Sequence, residues 1–353
     1  MLAAEVNRRW GVHTAETLRL RAKELGASDQ LIKALLPARS IGLLLGDSGL
    51  GKSPLIYQAG ICIAAGVPFL GRETMKGRVL IADFENGLAD MHELVERITR
   101  YLDLPLSPND DLQFWSLNDC DPRYGQPRHT LLDILRDVKP VLAIVDSLAS
   151  YAPKAEEQNS SATEMLQEFR SLARECGTAT LLVHHRRKQP RKADESAGPL
   201  EKANLRQWFQ DSRGASTLYN GSDIRLGVDE PDLSSVGKDE VSLVLRGFGR
   251  IRGEIGPLYL TRDVDEGGDP VGYRLLTGAE LLFNDQQKSA LAALPQHFTF
   301  KDAKIAYGRG DQATANFLQR CIDLRLLSRV ERGRYEKLAP QNGENDGAHG
   351  ERS

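Results

Sequence analysis

The stretch Gly46-Asp47-Ser48-Gly49-Leu50-Gly51-Lys52-Ser53 narrows the folds open to this chain more than any other part of it. It fits G-x-x-x-x-G-K-[ST], a loop that works only between a buried strand and a helix. Both flanks are present. Ser40-Ile41-Gly42-Leu43-Leu44-Leu45 is an apolar run of strand length, and a helix-like segment follows from Pro54 to about Ala65. Glycines at 46, 49 and 51 let successive backbone N–H groups curl around a phosphate, and the helix start adds positive dipole at the same point. In such a loop Lys52 reaches the β- and γ-phosphates and the Ser53 hydroxyl ligates Mg²⁺. Pro54 falls in the first helical turn, where a missing N–H is tolerated. All eight residues, Gly46, Asp47, Ser48, Gly49, Leu50, Gly51, Lys52 and Ser53, are therefore expected to hold a nucleoside triphosphate.

The rest of the chain reads as an α/β protein with a mostly parallel sheet flanked by helices, followed by a small helical domain. Residues 1–36 suggest an appendage of short helices, with Leu31, Ile32, Leu35 and Leu36 on one face and Ser28 or Asp29 as a cap. Strands and helices then alternate, the pattern of a parallel sheet with helices on both faces. Strands are expected at 78–84, 111–117, 140–146 and 178–183, and helices at 87–102, 130–138 and 161–175. Runs at 240–247, 257–262 and 271–276 suggest antiparallel strands that finish the sheet. Residues 37–277 make up the large domain and 278–284 a linker. Residues 285–338 read as three helices and a two-stranded wing, a winged helix, with a capping box opening at Thr299 and Asp311 as cap of the third helix. The tail, 339–353, lacks apolar anchors and is expected to be disordered.

Composition excludes some classes and leaves others open. The net charge is -3 and the pI about 6.2, so contact with nucleic acid has to come from local basic patches. Cys62, Cys120, Cys176 and Cys321 are scattered without metal-like spacing and read as thiols in a reducing compartment. No signal peptide pattern and no long uncharged apolar run is present, which predicts a soluble cytoplasmic protein without membrane contact.

Hydrolysis needs more than a phosphate cradle. Asp146, ending an apolar strand, is the expected carboxylate for Mg²⁺ beside Ser53. The residue after it is Ser147, so a base for the attacking water must come from another strand. Glu85, at the end of the 79–84 run, is the candidate, with Asp83 as its alternative. His184 and His185 end the 178–183 strand at the same edge, where one of them can sense the γ-phosphate.

Taken in order, GDSGLGKS at 46–53, AGVPFLG at 65–71, VLIADFEN at 79–86, LAIVDS at 142–147, LLVHHRRK at 181–188 and RGAST at 213–217 resemble the RecA-like ATPases. The resemblance is closest to the plasmid RepA-type hexameric replicative helicases, and it covers about 36–247. It implies ATP and Mg²⁺ as ligands, Glu85 as the catalytic glutamate, Asp146 as the metal acid and His185 as the sensor. Arg213 resembles an arginine finger supplied in trans within a ring, where it would neutralise charge on the γ-phosphoryl oxygens. In this family the loop after the sensor strand grips single-stranded DNA. Here that loop, 186–212, carries Arg186, Arg187, Lys188, Arg191 and Lys192. Trp208 and Phe209 nearby are expected to pack beneath it.

Residues 285–338 hold ten Lys/Arg against six Asp/Glu, a local +4 that suits contact with duplex DNA or with a protein surface. The family resemblance does not extend to this segment. The expected activity is that of an ATP-driven motor on DNA, a replicative helicase of a plasmid, phage or other mobile element, working as a homo-oligomer such as a hexamer. The alternatives are a recombination or repair ATPase on single strands and an ATP-switched winged-helix regulator.

Overall fold

The structure is a computed structural model. It describes residues 13–24, 29–105, 111–116, 127–186, 198–210, 216–231, 242–250, 253–276, 283, 285–323, 326–331 and 333–338. The chain divides into two compact units, 1–231 with 242–275, and 232–241 with 276–353.

The first unit starts with helix α1 (Ala15–Glu24) and a small hairpin of β1 (Gln30–Ile32) and β2 (Leu36–Pro37). This hairpin replaces the second helix expected before residue 36. Ala34 takes a left-handed turn conformation (φ 56) and Pro37 has no N–H to continue a helix, so the chain reverses there. Its four apolar residues, Leu31, Ile32, Leu35 and Leu36, are all buried in the main core of this unit.

The central sheet then builds up in chain order. β3 (Ile41–Gly46) leads into α2 (Lys52–Ala65), β4 (Val79–Asp83) into α3 (Leu88–Tyr101), and β5 (Leu112–Ser116) into α4 (Pro127–Val138). β6 (Leu142–Asp146) is followed by α5 (Leu148–Tyr151), α6 (Pro153–Glu157) and α7 (Asn159–Glu175), and β7 (Ala179–His185) by α8 (Leu205–Gln210) and α9 (Ser216–Gly221). β8 (Ile224–Asp229), β9 (Leu243–Gly249), β10 (Glu254–Val264) and β11 (Pro270–Leu275) complete it. The strand order is β11-β10-β9-β8-β3-β7-β6-β4-β5. The strands from β8 to β5 in this order run parallel, and β9, β10 and β11 are antiparallel additions.

β8 has no counterpart in the sequence reading. Arg225 and Gly227 interrupt its apolar run, yet Arg225 is buried because its guanidinium bonds Tyr219 O and stacks on Tyr219 and Phe248. Both faces of the sheet are covered. Leu44, Ile81, Ile144 and Val183 pack with α2 on one side, and Leu43, Leu80, Val145 and Leu182 pack with Leu166 and Phe169 of α7 on the other. A strand buried on both faces is largely apolar, which is why β4 and β6 read as apolar runs up to their terminal aspartates and β3 as an apolar run up to the P-loop.

The order places β7 and β6 between β3 and β4. The chain therefore leaves β3, crosses over to β4, and returns to fill the gap. The carboxyl ends of these four strands form the edge at which sheets of this topology bind ligands.

The second unit holds α10 (Asp285–Ala293), β12 (His297–Thr299), α11 (Phe300–Tyr307), α12 (Asp311–Asp323), β13 (Leu327–Glu331) and β14 (Arg334–Lys337). Its antiparallel sheet runs β12-β14-β13, one strand more than the expected wing. Thr299 and Asp302 form the capping box. Asp311 is the first residue of α12 rather than its cap, since the Thr314 N–H already bonds Gly310 O; its carboxylate instead pairs with Lys304 (2.5 Å). Phe283, Leu294, Phe298, Phe317, Leu318 and Tyr335 give this unit a core of its own.

Cys62 and Cys321 are buried free thiols, each pushed up to about 12 by burial. Among the described residues no helix is long and apolar enough to cross a membrane.

Candidate active site

The P-loop joins β3 to α2. Gly46 has to be glycine for space, because a side chain there would run into Val228 of β8, whose carbonyl oxygen lies 2.8 Å from the β-carbon position. Gly51 is the N-cap of α2 with φ 83, a left-handed conformation that glycine adopts without strain. Lys52 is 5% exposed and folds back across the loop. Its ammonium donates to Gly46 O (3.0 Å) and Asp47 O (2.7 Å). Burial lowers the Lys52 pKa, while the charges of Asp146, Glu85 and Asp47 oppose that shift.

Sheet register brings the other predicted residues to this loop. Gly46 pairs with His185 across β3 and β7, and Asp83 pairs with Asp146 across β4 and β6. The Ser53 hydroxyl donates to Asp146 Oδ2 (2.7 Å). Asp146 is 2% exposed, and its pKa is raised to about 7, first by burial and then by the charges of Asp83 and Glu85, against the bond from Ser53 and the charge of Lys52. A buried carboxylate beside a hydroxyl and two further acids is an environment that a divalent cation relieves. The residues present therefore fit Mg²⁺ held by Ser53 and Asp146.

Glu85 extends from the turn after β4. The Ser147 hydroxyl donates to its Oε1 at 2.5 Å, and His185 Nε2 lies 3.4 Å from the same oxygen. The other imidazole nitrogen, Nδ1, lies 3.4 Å from the Lys52 ammonium. An ammonium can only donate, so the Lys52 contact suits Nδ1 as acceptor and leaves Nε2 as the nitrogen that faces Glu85. Lys52, His185, Glu85 and Ser147 thus form one chain of contacts along the strand tips. Ser147 is fully buried and was legible in the sequence only as the missing glutamate after Asp146.

The alternatives separate cleanly. Asp83, the other candidate base, is fully buried and committed: Oδ1 accepts from the Glu85 and Asn86 amides (2.9 Å each), and Oδ2 accepts from Tyr57 (2.7 Å) and the Asn86 side chain (2.8 Å). It shapes the turn that presents Glu85. His184 points the other way, as alternation along a strand requires, and lies 3.1 Å from Glu156 with 1% exposure.

Arg186 is the one cation of the expected DNA-binding set that lies among the described residues. Its guanidinium sits 3.6 Å from Asp229 and 4.3 Å above the buried ring of Trp208, so the chain itself satisfies it. Trp208 and Phe209 are fully buried, as expected of residues that pack beneath a loop. Arg187, Lys188, Arg191, Lys192 and Arg213 lie outside the described residues, as does the tail 339–353.

Comparison with known proteins bears on the family of the chain. No curated protein matches the sequence. Among solved structures, the crystal structure of a KaiC-like protein from the hyperthermophilic archaeon Pyrococcus horikoshii OT3 is similar over 70% of this chain and 93% of that one, at 14% identity and a TM-score of 0.42. The sequence profile described as AAA domain matches residues 11–191, a span that contains the P-loop, Glu85, Asp146 and His185. With just over half of its length matched, and with a P-loop, a buried aspartate at the end of β6 and a mostly parallel sheet in place, the chain belongs to the AAA domain family of P-loop ATPases.

Proposed function

We propose that this protein hydrolyses ATP with Glu85 as general base and works as a RecA-like motor on DNA, as a replicative helicase of RepA type in a plasmid, phage or other mobile element. The observation that carries the ATPase part is the contact chain Lys52–His185–Glu85–Ser147 beside the Ser53–Asp146 pair. Residues 46–53 cradle the phosphates through backbone N–H groups, and Lys52 neutralises charge at the γ-phosphate. Ser147 fixes one oxygen of Glu85 and leaves the second for a water. That water attacks the γ-phosphorus, its proton passes to Glu85, and the bond to the β–γ bridging oxygen breaks to leave ADP and phosphate. Ser53 and Asp146 would hold Mg²⁺, which when bound would supply charge stabilisation to the phosphate oxygens. His185 touches both Lys52 and Glu85, so it is placed to register whether the γ-phosphate is present.

The DNA part rests on the RepA-type resemblance and on the loop cations Arg187, Lys188, Arg191 and Lys192, with Arg213 as a finger from the next subunit of a hexamer. A second reading has an observation of its own. Residues 276–338 form a compact unit that exposes Lys301, Arg320, Arg329 and Arg334, which supports a winged helix that docks on duplex DNA under nucleotide control.

The deciding experiment measures ATPase rate with and without single-stranded DNA, alongside native mass. Stimulation by single strands together with a ring-sized mass supports the motor. A monomer whose hydrolysis ignores single strands, and whose residues 276–353 bind duplex by sequence, supports the regulator. For Arg213→Ala, partial recovery of activity on mixing with Lys52→Ala subunits is expected of a shared site, and failure at every ratio counts against one.

A further inference from the structure

The hairpin of β10 and β11 reaches back to the P-loop. Tyr273 of β11 is 1% exposed, and its hydroxyl donates to Gly51 O at 3.1 Å. A β-carbon at Gly51 would collide with that hydroxyl. The Tyr273 backbone is also held by buried Gln58 of α2, which accepts from its N–H (2.7 Å) and donates to its carbonyl (2.8 Å). Strand and P-loop helix are therefore fastened at two levels. Arg262 is the direct cross-strand partner of Tyr273 and interacts with its hydroxyl. Its Nη1 lies 3.9 Å from the β-carbon position of Gly51, and the residue is exposed. No carboxylate among the described residues pairs with it.

The loop is unevenly supplied with donors. Lys52 directs its ammonium to the opening of the loop, at Gly46, Asp47 and His185. At the far end, Leu55 already turns its N–H to Gly51 O (3.4 Å) and Pro54 has none, so only the Lys52 and Ser53 amides remain of the first helical turn. A guanidinium that bonds the Tyr273 hydroxyl, and that has no carboxylate partner among the described residues, stands beside that depleted end.

We propose that Arg262 binds the α- and β-phosphates of the nucleotide from within the same chain, making up for the amide that Pro54 withholds. Tyr273 is the positioning residue that holds the hairpin against Gly51. The planar fork of a guanidinium suits adjacent phosphate oxygens, and Arg262 stands beside Gly51 rather than in the Lys52–His185–Glu85–Ser147 chain of contacts. This inference rests on the nucleotide-binding reading of residues 46–53.

Titration of the full-length chain with fluorescently labelled ADP tests it. Arg262→Gln is expected to weaken binding about 10-fold, the loss of one charge-assisted contact. Arg262→Lys should recover part of that, with thermal unfolding of the nucleotide-free protein unchanged in both. In a Pro54→Ala background, where the amide returns, the Arg262→Gln loss should shrink. Binding within twofold of the parent by Arg262→Gln, while Lys52→Ala binds nothing, overturns the inference and leaves the P-loop reading standing. A lowered unfolding temperature that Arg262→Lys fails to restore assigns a structural role and overturns it too, as does a loss undiminished by Pro54→Ala. Absence of ADP binding by the parent chain sinks the underlying reading instead.

Discussion

At the edge where β3, β4, β6 and β7 end, Lys52, Asp83 and Asp146 are 5%, 0% and 2% exposed; in the C-terminal unit Lys301, Arg320, Arg329 and Arg334 stand in solvent. The first set costs stability, since each charge leaves water and must be matched within the chain. The second costs almost nothing, because exposed pairs such as Arg334–Glu331 are each worth about 1 kcal/mol or less. Asp83 is matched within the chain by Tyr57 and by the Glu85 and Asn86 groups, whereas Lys52 and Asp146 are the two that the proposed function supplies with a phosphate and a metal ion. Charges kept in water are adaptable and suit a partner met by many weak contacts. The two regions should therefore respond very differently to single substitutions.

The largest expected effect is at the buried edge. Glu85→Gln should keep nucleotide binding and lower kcat by roughly 10²–10⁴-fold, the usual worth of a positioned base. Normal turnover in this variant would break the contrast, because Asp83 has no free oxygen with which to replace it. Next comes Asp146. A carboxyl that keeps its proton to about pH 7 in the folded chain, but loses it near 3.8 when unfolded, makes the metal-free protein less stable as pH rises through that window. Asp146→Asn should flatten this slope and raise the metal-free unfolding temperature at pH 8 while abolishing Mg²⁺ binding; denaturant melts at pH 5 and pH 8 would show it. Ser147→Ala should lower kcat by about 10-fold with KM little changed, the loss of one hydrogen bond to a charged group. An unchanged kcat would mean that His185 alone orients Glu85. Arg329→Ala and Arg334→Ala should each weaken duplex binding only a few-fold and reduce the salt slope by about one. A loss above 100-fold from either would show a base-reading contact and erase the distinction between the regions.

Legibility in the sequence followed the same division. The P-loop is local, so eight consecutive residues and their flanks were enough to read it. Glu85 and Asp146 were readable because each ends a strand buried on both faces, and such strands are uniform in sequence. The residues alone left His184 and His185 open and the resemblance pointed to His185; register gives the physical reason, since Gly46 lies opposite His185 while His184 turns away toward Glu156. The hairpin at 30–37 was misread because Leu31, Ile32, Leu35 and Leu36 fit one helical face as well as a tight hairpin, and only the turn at Ala34 decides. Tyr273 and Gln58 were invisible, since 215 positions separate them and neither sits in a motif. Tyr57 lies in an apolar helix and outside every motif, so the bond from its hydroxyl to Asp83 has no local signal.

That hydroxyl has a consequence for how the molecule moves. Asp83 takes one hydrogen bond from Tyr57, a turn and a half into α2, and two more from the amides of Glu85 and Asn86. A tilt of the helix when phosphate enters the loop would be relayed through a single carboxylate to the segment that carries the base. The Glu85 and Asn86 amide protons are accordingly built-in gauges: their exchange with deuterium should slow when nucleotide clamps the helix and quicken when the product departs.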